Sequence, residues 1–341
     1  MNITYIAPYS IGSTSHARGE SLQALLPSAK ITVIDTDIPL KNTSHLWRSI
    51  GWRWKFGPFI YNHNKYILDN LPAEPQDIIW VDKAVFIKPQ TTILLRKKAK
   101  LLVHYTPDPA FAFHRSKLFF NSIPYYNALI TTKSFEMDDY KAAVQGTNTK
   151  IILSTQGFLP SLHRSIVPFE QKSGVVFIGH YEKERAEVVK RILSSGIPVT
   201  LAGIKWEKFI RENQSPLIKY LGNGVFGEDY VKAISSGLFG WGTLSKWIPE
   251  KHTTRTFEIP ACGTALLTEW NEEIAEFFNK DEVIFYHVID EMIDKVRYYQ
   301  NHLDELQFLT DKGRSAVLRK GFDYLSVMKK ILRQIEIPCE N

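Results

Sequence analysis

The chain has 341 residues, 44% of them hydrophobic and 23% charged, with a net charge of +6. That is enough apolar material for more than one core, so two domains are expected, and no run approaches the roughly 20 apolar residues that span a bilayer. The only cysteines, Cys262 and Cys339, lie far apart, which argues against a disulfide or zinc framework and fits a reducing cytoplasm. The charge is uneven. Residues 1–165 carry 19 Lys and Arg against 11 Asp and Glu, and the remainder 23 against 25, so an anionic partner is expected on the first half.

In chain order, the N-terminus reads as a first buried strand at 3–7, not as a signal peptide. A polar loop with Gly12 to Ser15 follows, and then a helix with Leu22, Leu25 and Leu26 on one face. Strand, small-residue loop and helix is an arrangement that can bind phosphate, although G-x-G-x-x-G is absent and a plain solvated loop fits as well. The second strand, 31–34, ends in Asp35-Thr36-Asp37. Such a triplet invites a metal-dependent reading, which is set aside because acidic residues often end a second strand and no further acidic group completes a metal site.

Residues 41–66 interleave Trp47, Trp52 and Trp54 with Arg48, Arg53 and Lys55. Aromatic and basic residues together suit an anionic membrane interface or stacking on sugars or bases; a surface segment whose rings cover the core is the plainer alternative. From 77 onward strands at 78–81, 101–105, 128–132 and 151–153 alternate with helices at 91–100 and 134–145, which predicts a parallel doubly wound sheet. Its 101–105 strand runs into His104, Tyr105 and Asp108. His104 and Asp108 there suit a base or a hydroxyl acceptor, while His104 also fits a satisfied core position.

The proline-broken stretch 160–174 is the expected linker. A second series then begins, with strands at 175–178, 199–202, 238–241, 264–267 and 283–286 and turns at Gly179-His180 and Gly203. The domains are placed at 1–165 and 170–320, with a last helix at 321–341 expected to return toward the first domain.

The stretch 247–269, W-I-P-E-K-H-T-T-R-T-F-E-I-P-A-C-G-T-A-L-L-T-E, is the most informative. Thr253 and Thr254 precede a helix predicted to reach about Ala261. Its amino end offers free N–H groups, and Arg255 and Glu258 share a face three residues apart. A guanidinium that forks onto phosphate beside a carboxylate that binds hydroxyls suits a nucleotide sugar. An Arg255–Glu258 surface ion pair fits the same spacing.

R-T-F-E-I-P-A-C-G-T-A-L-L-T-E, with Glu250 eight positions before Glu258, resembles the glycosyltransferase group 1 superfamily, in the branch of spore-maturation and surface-polysaccharide enzymes. F-I-G-H-Y-E-K-E-R (177–185), G-E-D-Y (227–230) and Y-Y-Q-N-H (298–302) extend the resemblance over most of 174–332, and W-V-D-K-A, Y-T-P-D and T-T-K-S match more loosely in the first half. The resemblance implies a GT-B fold: two Rossmann-like doubly wound domains facing across a cleft, the first on the acceptor side and the second holding the donor. It implies retaining, metal-independent transfer from a UDP- or GDP-linked sugar to a glycan or lipid-linked acceptor in surface polysaccharide or glycoconjugate synthesis, with no other cofactor.

By the same carry-over Glu258 holds the ribose and Glu250 the donor sugar. Backbone N–H groups around Thr253, Thr254 and Arg255 contact sugar and diphosphate, Gly12 lets the first loop approach the phosphates, and the tip with His104 and Asp108 faces the acceptor. His252, Gly179 and Gly263 are further donor-binding candidates. Lys246 is added as a phosphate contact by position and charge. K-H-T-T-R-T-F between the glutamates departs from the glycine-rich pattern usual there. A cytoplasmic enzyme, with peripheral association on the inner face of the membrane left open, is the first reading. Transfer to nucleic acid through 41–66 and 96–100, and a degenerate nucleotide-sugar-binding protein, are the alternatives.

Overall fold

The computed structural model describes residues 1–339, so the last two residues of the expected 321–341 segment lie outside the described residues. The chain forms two compact units, one of Met1–Thr155 together with the chain from Tyr324 onward, the other of Gln156–Asp323. The 160–174 stretch therefore belongs to the second unit, and the chain passes between units at 155–156 and 323–324.

In the first unit six parallel strands, β1 (Asn2–Ala7), β2 (Lys30–Asp35), β3 (Gln76–Asp82), β4 (Ala99–Thr106), β5 (Ala128–Thr131) and β6 (Lys150–Leu153), lie in the order β2-β1-β3-β4-β5-β6. Strand side chains alternate between faces. Ile3, Tyr5, Trp80, Val103 and Ile130 meet Leu22 and Leu25 of the helix Thr14–Leu25 and Val327, Met328, Ile331 and Leu332 of the last helix, Tyr324–Gln334. Ile6, Ile79, Val81, Leu102 and Leu129 meet Ile67, Leu95 and Tyr140 on the other face. Helices on both faces explain why the central strands read as near-continuous apolar runs.

Where β1 and β3 lie side by side, the carboxyl ends carry a buried ion pair. Arg18 Nε donates to Asp82 Oδ2 at 2.8 Å and Nη2 to Asp82 Oδ1 at 3.0 Å, and the guanidinium lies 4.3 Å from the Tyr105 ring centre. A paired, stacked guanidinium is how a charge is kept in a core.

Residues 41–66 are mostly helical. A helix at His45–Trp54 ends on Lys55 in the left-handed region (φ +57), and Gly57 (φ +94) turns the chain into a second helix, Pro58–Asp69. Pro58 fits its first position, where no N–H is needed.

The second unit holds β7 (Val175–Ile178), β8 (Val199–Ala202), β9 (Ile218–Tyr220), β10 (Phe239–Trp241), β11 (Ala265–Glu269) and β12 (Ile284–Tyr286), all parallel in the order β12-β11-β10-β7-β8-β9. β9 was not expected from the sequence; it is three residues long and pairs only with β8, so it carries little periodic signal. Beyond β8, Gly203 (φ +145) lies so close to the loop after β7 that a Cβ there would sit 1.9 Å from the Gly179 carbonyl oxygen. The two loops are locked by that approach, and Trp206 Nε1 donates to the same oxygen at 2.9 Å.

Candidate functional site

In the second sheet the order reverses between β7 and β10, and the crevice beyond the carboxyl ends of such a pair is where open α/β sheets bind ligands. One side chain spans it. Arg255 begins the short helix Arg255–Ala261, and its Nη1 donates to the Ile178 carbonyl at the end of β7 at 3.2 Å. Its Nη2 donates to the Thr243 carbonyl just past β10 at 3.4 Å. The guanidinium is thus fixed at the switch point by main-chain oxygens alone, which leaves its charge unpaired with any acid at these contacts.

Around it lie polar atoms that are buried without a hydrogen-bond partner: Arg255 Nε, Thr253 Oγ1, Arg185 Nε and Glu182 Oε2. Each such atom costs about 1–3 kcal/mol in a folded protein, and their clustering on the loops after β7 and β10 marks a place built for something polar. Glu182 and Arg185 are buried and paired at 2.9 Å, and Arg185 Nη1 also donates to the His180 carbonyl. Burial, then the neighbouring Arg255 charge, lowers the Arg185 pKa, while Glu182 and Glu250 oppose that shift. His180 is lowered by burial and then by Arg185 and Arg255. The local field is positive, as an anion site requires.

Glu258, on the same short helix, is buried. Its Oε2 accepts from Tyr230 Oη at 2.7 Å and its Oε1 lies 3.7 Å from His163 Nε2. His163 Nδ1 accepts the Leu159 N–H at 3.0 Å, which puts the ring proton on Nε2, toward the carboxylate. Burial holds the His163 pKa below its ordinary value against the pull of Glu258, and burial with Glu258 raises Tyr230 well above its own. Glu258 and Arg255 are therefore not an ion pair on the surface; each has its own partners.

Sequence reasoning passed over His163, Tyr230, Glu182 and Arg185 as site residues. Tyr230 and Arg185 lie inside motifs already noted, G-E-D-Y and F-I-G-H-Y-E-K-E-R. His163 sits in the proline-broken stretch, where no periodicity places a side chain.

The remaining expected residues divide by position. His252 is buried, with Nε2 accepting the Gln156 N–H at 3.1 Å, Nδ1 on the Glu273 carboxylate, and Phe257 and Phe277 against its ring. Both nitrogens are thus engaged within the unit, tying the 252–254 loop to the start of the second unit. Lys246 pairs with Glu269 beside a cavity of about 430 Å³ beyond β10, β11 and β12, lined by Trp241, Thr243, Tyr286, His287 and Arg185. Thr254 is the residue before the short helix and makes no side-chain cap, and Glu250 is near enough to Arg185 to act on its charge. Gly263 (φ +68) has Ser165 where a Cβ would go, and Gly179 forms the locked loop after β7.

In the first unit His104 is packed as a core residue. Its ring lies against Phe119 and Tyr126, Nε2 accepts the Ala84 N–H, and burial pushes its pKa down to about 3. Asp108 is more open and pairs with Lys83 at 2.9 Å. Burial works against its charged form, but the Lys83 ammonium outweighs it, and the carboxyl sits below its ordinary value. Gly12 (φ +82) has open space around it. The D-x-D carboxylates shape its loop: Asp35 Oδ1 accepts the Tyr9 and Asp37 N–H groups, and Asp37 Oδ2 accepts Ser10 Oγ at 2.6 Å.

Residues 184–333 match the family model described as glycosyl transferase-like. The match covers the helix after β7, the switch-point loop of β10 and the Arg255–Glu258 segment. The chain as a whole has the GT-B fold. Its whole length resembles solved structures of that fold. HepE from Anabaena, in complex with UDP and glucose, has a TM-score of 0.68 at 12% identity, covering 98% of this chain and 99% of that one. Sucrose-phosphate synthase from Thermosynechococcus elongatus has a TM-score of 0.67 at 11% identity, covering 98% of each chain. Trehalose 6-phosphate synthase from Burkholderia multivorans has a TM-score of 0.65 at 12% identity, again covering 98% of each. No curated protein matches the chain.

Proposed function

We propose that this enzyme transfers a sugar from a UDP-linked donor to a glycan or lipid-linked acceptor, with retention and without a metal, in surface polysaccharide or glycoconjugate synthesis. The observation that carries the donor half is the Arg255 guanidinium held between the Ile178 and Thr243 carbonyls, amid polar atoms that lack partners. UDP is preferred over GDP because similar structures were solved with UDP, UDP with glucose, or UDP-glucose bound.

In this reading the diphosphate lies over the loops after β7 and β10. Arg255 forks onto it, Arg185 adds charge beside it, and the Thr253 and Thr254 hydroxyls and Gly179 backbone complete the contact. Glu258, positioned by Tyr230 and His163, accepts the ribose hydroxyls. Glu250 binds the donor sugar, Gly263 makes the turn that seats Glu258, and His252 holds the loop between the glutamates in place. As the sugar–phosphate bond breaks, charge grows on the diphosphate, and fixed cations lower the barrier most when they are already aimed there. Arg255, Arg185 and Lys246, once released from Glu269, supply that charge without a metal. The acceptor oxygen bonds the anomeric carbon on the face the phosphate leaves, so configuration is retained, and the departing phosphate takes the acceptor proton. On the first unit, Asp108 and the open loop at Gly12 are the groups offered to the acceptor.

The test is a thermal-shift screen of the full chain against nucleoside diphosphates and nucleotide sugars. A ligand at a hundred times its dissociation constant stabilises the folded state by about 2.7 kcal/mol. UDP should raise the midpoint for the wild type and far less for Arg255→Gln. No shift with any nucleoside diphosphate would reject the reading.

A further inference from the structure

From residue 38 to residue 68 the sequence contains no Asp or Glu, but it carries Lys41, Arg48, Arg53, Lys55 and Lys65. The structure arranges that stretch into a face. Helix His45–Trp54 packs on its unit along Arg48 and Gly51, the latter against Phe59. At 3.6 residues per turn, Leu46, the half-buried Ile50 and Trp54 then form one stripe, with Trp47 beside it. Leu46 is 64% exposed, Trp54 57% and Phe56 in the following turn 58%. Arg53 flanks the stripe, its guanidinium 5.7 Å from the Trp54 ring centre.

Large apolar side chains grouped on a surface and edged by cations do not suit water, and no other described residue of the first unit covers these. Trp52, on the other side of the helix, reaches the strand-end loops of that unit. Trp52 meets Phe86 edge-on at 4.8 Å and His114 at 6.1 Å, and His114 feels the charges of Asp108, Lys83 and Lys55. Phe113, beside it, is 62% exposed.

We infer that helix His45–Trp54 and its following turn dock on an anionic lipid surface, with Leu46, Trp54 and Phe56 in the headgroup–acyl boundary and Arg53 on lipid phosphates. Indole rings prefer that depth, and cations next to them gain from the negative surface potential. Among the described residues no helix is long and apolar enough to cross a membrane, so attachment through this face is peripheral. The acceptor is then lipid-linked and met in the bilayer plane. This last step rests on the glycosyltransferase reading; the docking does not.

The experiment is co-sedimentation of the full chain with phosphatidylcholine vesicles with and without phosphatidylglycerol, for wild type and the Leu46→Glu/Trp54→Glu variant. Both side chains are exposed, so the variant should keep the wild-type melting temperature. The wild type should bind the anionic vesicles, and bind them less as salt rises; the variant should bind about tenfold or more weakly. Indole fluorescence of the wild type should shift to the blue on binding. Wild type that ignores both vesicle types, a variant that binds as well as wild type, or a chain that binds duplex DNA but not vesicles would each overturn the inference. A UDP-induced thermal shift is measured on the same samples. It should be equal in wild type and variant, and its absence beside intact vesicle binding would retire the donor reading while supporting this one.

Discussion

At the residue scale Glu258 is a buried charge of the candidate site, and it is not paired with Arg255. Glu258 accepts from Tyr230 and faces the N–H of His163, a setting that keeps a carboxylate ready to accept hydroxyls. A charge-assisted hydrogen bond contributes about 1.5–3 kcal/mol, so the wild type should bind UDP about tenfold or more tightly than 2′-deoxy-UDP. Glu258→Gln should lose most of that preference with little change in melting temperature, as calorimetry with both ligands would show; equal preference in the two proteins would remove Glu258 from the ribose. A second prediction concerns pH. Burial lowers the His63 pKa to about 4, so between that value and about 6.5 the unfolded chain binds a proton that the folded chain refuses. Stability from this residue is complete above pH 6.5 and falls on acidification by up to about 1.4 kcal/mol per pH unit. His63→Leu should flatten the stability–pH slope in that window, and an unchanged slope in denaturant titrations would contradict it. That Arg255 and Glu258 lie on one short helix was legible in the sequence, but their separate partners were not. His163 was not, since only the fold brings residue 163 beside residue 258.

At the element scale most strands were legible, because parallel strands covered on both faces are apolar runs between turn residues, as at 78–81 and 199–202. β9 was missed for the reason that edges are short and half-covered. The segment at 41–66 was not readable in shape: Leu46, Trp54 and Phe56 are exposed while Phe59 and Ile60 are buried, so no single apolar period reported its helices. Gly203 gives the sharpest test of how the loops hold the switch point. With φ at +145 and a Cβ position 1.9 Å from the Gly179 oxygen, Gly203→Ala must move backbone, at about 3 kcal/mol or more. Chemical denaturation should show that loss, together with weaker UDP binding through the displaced 179–182 loop. A variant as stable as wild type would contradict the close approach.

At the scale of the whole molecule, the second unit is one continuous stretch, whereas the first needs the chain's last helix. Val327, Met328, Ile331, Leu332 and Ile335 are buried in the first unit's core. At about 1.5–3 kcal/mol each their burial contributes roughly 8–15 kcal/mol, comparable to the whole stability of a domain. A chain ending at residue 323 should therefore lose the cooperative melting of the first unit but keep a second unit that UDP still stabilises. Two intact transitions in calorimetry would contradict this. The central claim is that Arg255, fixed between the ends of β7 and β10, binds the donor's diphosphate. Isothermal titration of UDP into wild type and Arg255→Gln tests it most directly: the account predicts a dissociation constant raised at least about tenfold in a variant that is otherwise folded, and equal affinity in the two proteins would contradict it.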